Sequence, residues 1–431
     1  MGSIENTNKI SYKLFKFINI SCVTIYFIWY IIPVFRSYFY GGIFNILIIG
    51  LLIVWFLTGL VLNPNWVFKF NIHLIIVSIQ LFVFILMALL ETKTNAMSYL
   101  KIGISFWFTL YVYHFYVSLG WYKVIRKVGI ILLISLGVTS ITTLIGLSSI
   151  PNAARILTSS SNQDFADNVL YAKNIGGFDF IYGLIVLVPS IIGYLILHSN
   201  VKSKFTKALF SLFTILIVFV VLNASFTIAI FVLLFSIMIG FLSKLRSRNI
   251  IIITIVGSIF ILLIPNDTLG LYSKELSQNI DNTYVSERFN DIGNHLLGTI
   301  NSSRYLSSRL ILYELSYDTF KSNPLGIGSY YYVNGVGIGY HSQLLDDLAR
   351  YGIFALLFYI FFFYTYYRYI DCQWKKLNFN VNFLGSVSVF LLISIINPIF
   401  SSQTISIIIF FLLPALPNIL GFKMNKRGIN N

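Results

Sequence analysis

Between Ser307 and Gly352 the chain reads SSRLILYELSYDTFKSNPLGIGSYYYVNGVGIGYHSQLLDDLARYG, and this segment gathers the residues best suited to chemistry. His341 precedes Ser342, a residue type that caps helix starts. The positive end of a helix dipole favours neutral imidazole, which accepts protons, and it also favours a bound anion such as phosphate. Arg309 offers a planar fork of donors that matches phosphate or diphosphate. Arg304 and Arg288 are weaker candidates for the same work, and Arg155, the one arginine in PNAARILTSSSNQDFADN, is another. Each has a plainer alternative. His341 would sit at a wet interface, Arg309 would be a surface charge or headgroup contact, and Arg155 would pair with Asp164 or Asp167. Asp346 and Asp347 stand at helical spacing from Arg350, which an ordinary surface ion pair explains. The alternative for Asp347 is to orient a substrate hydroxyl.

These residues need elements to position them. Leu306, Leu310, Tyr313, Tyr317 and Phe320 recur at spacings of four and three, which predicts a helix with one apolar face. Ser307 or Ser308 would cap it, and Asn323-Pro324 would end it. Gly326, Gly328, Gly335, Gly337 and Gly339 then allow the backbone to approach a neighbour or a ligand closely. Other chemistries lack their residues. There is no Walker motif, and the alternating glycines at 335–339 lack the strand and helix of a dinucleotide fold. No His, Cys or carboxylate set has metal-ligand spacing, and Cys22 and Cys372 suggest neither a disulfide framework nor a zinc site. No cofactor or metal is expected.

The rest of the chain is built for lipid. Hydrophobic residues make up 57% and charged residues only 10%, with a mean hydropathy of +0.82. A soluble chain carries about 25% charged residues. The expected fold is a single all-α polytopic membrane domain over 1–431 with about twelve transmembrane helices, near 14–34, 41–62, 70–90, 97–118, 128–148, 178–197, 206–222, 225–243, 249–265, 347–367, 381–398 and 402–420. The first of these is too long for a secretory signal. If the spans alternate, seven basic clusters fall on one side, with 19 of the 30 Lys and Arg and two of the 15 acids. That side is cytoplasmic and holds both termini. The net charge of +15 is therefore topological and does not argue for nucleic acid. Two long loops, 149–177 and 265–346, face outside, the second lying between spans 9 and 10 as a partly helical cap. No internal repeat is visible.

Three elements of this layout carry a family resemblance. Ser308-Arg309, Asn323-Pro324-Leu325-Gly326-Ile327-Gly328, and His341-Ser342 followed after nine residues by Gly352 resemble the O-antigen ligase and polymerase superfamily of bacterial envelope proteins. The resemblance implies inverting, metal-independent glycosyl transfer at the outer face of the bacterial cytoplasmic membrane. It implies His341 as general base, with Arg309 and Arg155 holding an undecaprenyl-diphosphate-linked oligosaccharide donor. In a polymerase the acceptor is a second lipid-linked repeat unit, whereas in a ligase it is a lipid or protein. Ala355 stands where ligases carry Gly, Thr or Tyr, so the polymerase is the expected branch, making O-antigen, capsular or exopolysaccharide chains. A chain-length regulator and a flippase are the expected companions. The competing class is a lipid-linked oligosaccharide flippase or other transporter, which needs ionisable groups within the bundle. Lys101, His114 and His73 are the candidates, and His114 in its aromatic setting reads better as a hydrogen-bonded core residue.

Overall fold

A computed structural model describes residues 2–38, 42–68, 71–90, 96–150, 153–154, 173–197, 204–242, 266–280, 283–298, 304–328, 337–374, 379–400, 402–420 and 422. Among these the regular structure is entirely helical. In chain order the helices are α1 (Gly2–Ile31), α2 (Pro33–Tyr38), α3 (Gly42–Leu62), α4 (Ile72–Leu90), α5 (Ala96–Ser118), α6 (Tyr122–Ser149), α7 (Phe178–Leu197), α8 (Lys204–Asn223) and α9 (Thr227–Phe241). They continue as α10 (Asn266–Gln278), α11 (Thr283–Leu296), α12 (Arg304–Ser322), α13 (Gln343–Tyr351), α14 (Ile353–Trp374), α15 (Phe379–Ile396) and α16, which begins at Gln403–Ile407 and runs through a π turn to Ile419.

Among the described residues, five helices are long and apolar enough to cross a membrane: Ile10–Ile31, Tyr122–Ser149, Phe178–Ile196, Lys204–Asn223 and Ile353–Trp374. Five of the other expected ranges coincide with shorter apolar helices, 97–118 falls on α5, and 249–265 lies outside the described residues. The surface agrees with a multi-pass membrane protein. On α8, Phe205, Leu209, Leu212, Ile215, Phe219 and Leu222 form an exposed apolar stripe at helical spacing, while Phe210, Ile217 and Val221 face inward. Water would oppose such a stripe, and lipid does not.

α7 is buried along most of its length and forms the centre of the bundle against α8, α9, α15 and α16. Small residues bring it close to α15. Ser190 donates to the Asn382 carbonyl at 3.1 Å, and a Cβ on Gly193 would strike Asn382 Oδ1. Such contacts hold helices together where lipid removes the hydrophobic drive. Trp107 of α5 packs edge-on against Phe362 of α14, tying the two halves of the chain together.

The polar helices α10 and α11 form a hairpin that crosses at Gly270 and Gly293, where either Cβ would crowd the other residue's carbonyl. Ser273 closes it by donating to the Phe289 carbonyl at 2.6 Å.

Three local expectations need correction. α12 starts at Arg304, so Ser307 and Ser308 lie inside the helix and do not cap it. Its buried face is also different: Ser316 and Thr319 are fully buried, whereas Tyr317 is exposed. The tenth expected span is two helices, because the chain breaks at Gly352 between α13 and α14.

Candidate functional site

The segment 304–352 folds as a joint around α13. At its C-terminal end, the turn 323–328 closes on the last carbonyls of the helix. Ile327 N–H donates to the Ala349 carbonyl at 3.0 Å, and Gly328 N–H donates to the Arg350 carbonyl at 2.9 Å. Ile353 N–H in turn donates to the Pro324 carbonyl at 2.8 Å. These bonds satisfy carbonyls that a helix end otherwise leaves open. Gly326 and Gly352 both sit in the left-handed region, at φ +88° and +61°, so this docking requires glycine.

At the other end, the glycine strip lies on α12. Thr319 Oγ1 accepts from Gly337 N–H at 2.8 Å and donates to the Gly337 carbonyl at 2.7 Å. Ser316 Oγ accepts from Gly339 N–H at 2.8 Å. A Cβ on Gly339 would meet the Leu312 carbonyl oxygen, so these glycines serve close approach to a neighbouring helix. The strip delivers Tyr340, at φ +60°, and then His341 to the start of α13.

His341 is half-buried. Its Nδ1 lies 2.9 Å from the Tyr340 carbonyl oxygen, which can only accept. In the neutral ring, Nδ1 therefore carries the hydrogen and Nε2 keeps its lone pair. Ser342 caps α13 as expected, its Oγ accepting from Leu345 N–H at 3.2 Å.

The same helix start was expected to favour a phosphate, but its first N–H groups are already engaged. Ser342 N–H donates to Asp346 Oδ2 at 3.3 Å, and Gln343 N–H donates to the Asn397 carbonyl at 3.3 Å. Asp346 is thus the anion at this terminus. Its Oδ1 accepts from Ser316 Oγ at 2.7 Å, which ties the carboxylate to the glycine strip. Burial, only partly offset by the Ser316 hydrogen bond, raises its pKa from 3.8 to about 6. Asp347 is buried as well. It accepts from Tyr359 Oη at 2.7 Å and Gln343 Nε2 at 3.0 Å, and burial pushes its pKa up against the pull of Arg350. Asp346, Asp347 and Arg350 are therefore buried groups of the joint, contrary to the surface ion pair expected.

Arg309 is partly buried on α12, and its Nη1 is fully buried with no hydrogen-bond partner. The guanidinium reaches the Tyr313 hydroxyl, which itself donates to the Ile396 carbonyl at 2.8 Å. Burial raises the Tyr313 pKa, and the positive charge of Arg309 opposes that rise. The charge of Arg309 also acts on the Tyr182 hydroxyl of α7, to which the side chain of Asn397, just past the end of α15, hydrogen-bonds. A buried guanidinium nitrogen without an acceptor is costly, and an oxyanion would relieve it.

Of the other candidate arginines, only Arg288 is described with its side chain. Arg288 lies on α11, 3.8 Å from Asp291. Arg304 stands five residues before Arg309, about 140° around the helix, and its side chain lies outside the described part. Arg155 falls outside the described residues. Ser316, Thr319, Tyr182 and Asn397 were not singled out in the sequence. Ser316 and Thr319 share a helical face, a spacing that matches the alternate glycines they hold, and this was the one signal available.

Beside the joint, between α4 and α14, an apolar cavity of about 790 Å³ is lined by Ile76, Ile79, Phe354 and Phe358, with Asp347 and Arg350 at the joint side. No family model and no curated protein matches the chain.

Proposed function

We propose that this chain is a glycosyltransferase that joins lipid-diphosphate-linked oligosaccharide repeat units, a polysaccharide polymerase. The observation that carries the reading is Arg309, a partly buried cation with an unpartnered Nη1, in the same joint as a histidine whose Nε2 is free to accept a proton. In this reading His341 Nε2 takes the proton from an acceptor sugar hydroxyl. The hydroxyl oxygen attacks the anomeric carbon of the donor, the carbon–oxygen bond to diphosphate breaks, and the diphosphate leaves with the electron pair. Arg309 stabilises the charge that develops on it. Attack from the face opposite the leaving group inverts the centre. The apolar cavity beside Arg350 suits part of an isoprenoid chain.

The reading includes the topology: twelve spans, both termini cytoplasmic and the joint outside. The one-sided basic clusters support it. A reporter inserted near Gln278 should read external and one fused after Asn431 cytoplasmic; the reverse pattern would overturn the site's placement.

The deciding assay gives purified protein defined polyprenyl-diphosphate repeat units and follows chain length. Elongation without another acceptor is the expected result. Transfer only to a different lipid or protein acceptor would mark a ligase, and translocation without bond formation would mark a flippase.

A further inference from the structure

We infer that Asn397 is a direct phosphate ligand, completing with Arg309 and the Tyr182 hydroxyl a three-sided pocket for the diphosphate. This rests on the reading above that the joint takes a lipid diphosphate. Asn397 is only 5% exposed, yet its Nδ2 has no hydrogen-bond partner. A buried amide nitrogen without an acceptor is unusual, and its desolvation is uncompensated. The backbone that carries the side chain is not loosely placed. The Asn397 backbone carbonyl is bonded by Gln343 N–H, two residues after His341, and the preceding Ile396 carbonyl is bonded by Tyr313 Oη. The Asn397 side chain hydrogen-bonds the Tyr182 hydroxyl and the charge of Arg309 acts on it, so two buried nitrogens with an open hydrogen-bond position, Arg309 Nη1 and Asn397 Nδ2, share one neighbour.

Among the described residues, what these donors lack is an acceptor that also carries negative charge. No carboxylate among the described residues pairs with Arg309; the ion pair found there is Arg288 with Asp291. Asp346, the carboxylate in the first turn of α13, is committed to Ser316 and Ser342. Water would supply acceptors without charge. A phosphate oxygen supplies both, and charge-assisted bonds of this kind are the strong ones. Arg309 comes from the polar helix α12, while Asn397 and Tyr182 come from the apolar bundle. The pocket therefore bridges the two, where the head of a membrane-borne lipid would lie.

The test measures binding of farnesyl diphosphate to the full-length protein in detergent, with farnesol and inorganic diphosphate as comparison ligands. Wild type should bind farnesyl diphosphate, bind inorganic diphosphate more weakly, and not bind farnesol. Asn397→Ala should weaken farnesyl diphosphate about tenfold, the effect of one charge-assisted hydrogen bond. Asn397→Asp, nearly isosteric but anionic, should weaken it further. If Arg309→Ala loses binding while both Asn397 variants keep wild-type affinity, the Asn397 assignment is wrong and the polymerase reading stands. If wild type binds no diphosphate at all, both fall. Equal affinity for inorganic and farnesyl diphosphate would overturn the lipid headgroup as the source. Should neither Asn397 variant fold, a map of the wild type with farnesyl diphosphate decides: a phosphate oxygen within hydrogen-bond distance of Asn397 Nδ2 supports the inference, and its absence ends it.

Discussion

Gly326 and Gly352 meet backbone to backbone. A Cβ on Gly326 would stand 2.7 Å from the Gly352 nitrogen, and a Cβ on Gly352 would stand 2.6 Å from the Gly326 nitrogen. Neither neighbour is a side chain that can swing away. Alanine at either position adds left-handed strain of about 1–2 kcal/mol and a backbone clash on top of it. Gly352→Ala and Gly326→Ala should each lower the unfolding temperature in detergent by several degrees. The double variant should cost less than the sum, because one displacement relieves both clashes. Strictly additive losses would show that the contact does not couple them.

His341→Ala should abolish long-chain product while leaving membrane insertion and protein level intact. His341→Gln should not rescue it, because an amide does not take up a proton at neutral pH. Long chains made by either variant at normal abundance would remove His341 from the role of base.

Arg309→Lys keeps the charge and loses the fork. Turnover should fall by about 10- to 100-fold, since an ammonium does not match two phosphate oxygens in one plane. Initial rates at matched expression measure this, and wild-type rates in the lysine variant would make Arg309 a simple surface cation.

The Asp346 carboxyl gives a pH signature. It titrates near 6 in the folded protein and at 3.8 in the free side chain. Between those values the folded state holds more protons than the unfolded state, so stability falls as pH rises through the window. Asp347, also raised by burial, acts in the same direction. The total effect of Asp346 is on the order of 1–3 kcal/mol. Thermal unfolding from pH 4 to 7 should show the decline, and Asp346→Asn should flatten it. An identical slope in the variant would assign the titration elsewhere.

Much of the helical layout was legible because apolar runs of span length leave few alternatives. The end of α12 at Asn323-Pro324 and the Ser342 cap were legible as well, since both depend on neighbours in sequence. The buried face of α12 was misread for a physical reason. Its apolar period pointed to Leu310, Tyr313 and Tyr317, but the surface it packs against is bare glycine backbone. Two hydroxyls, Ser316 and Thr319, satisfy that backbone better than hydrocarbon would. Asp346 and Asp347 were misread similarly. Spacing alone makes them an ion-pair motif, and only the docking of α12 and α14 on either side buries them. Asn397 and Tyr182 gave no sequence signal, because their contact depends on helices that meet only in the folded bundle.

α13 is fastened at both ends to different parts of the protein. Its first residue is bonded to Asn397, and through the Gln343 side chain to Phe400 N–H at 3.1 Å. Its last residues are bonded to the turn after α12. A crossbar held this way does not swing like a lid. Any slide of α15 against α12 reaches His341 directly, within one helical turn of the fastening. The position of His341 relative to Arg309 is thus set by the packing of the bundle, and in the proposed glycosyl transfer that packing becomes a mechanical input to the chemistry.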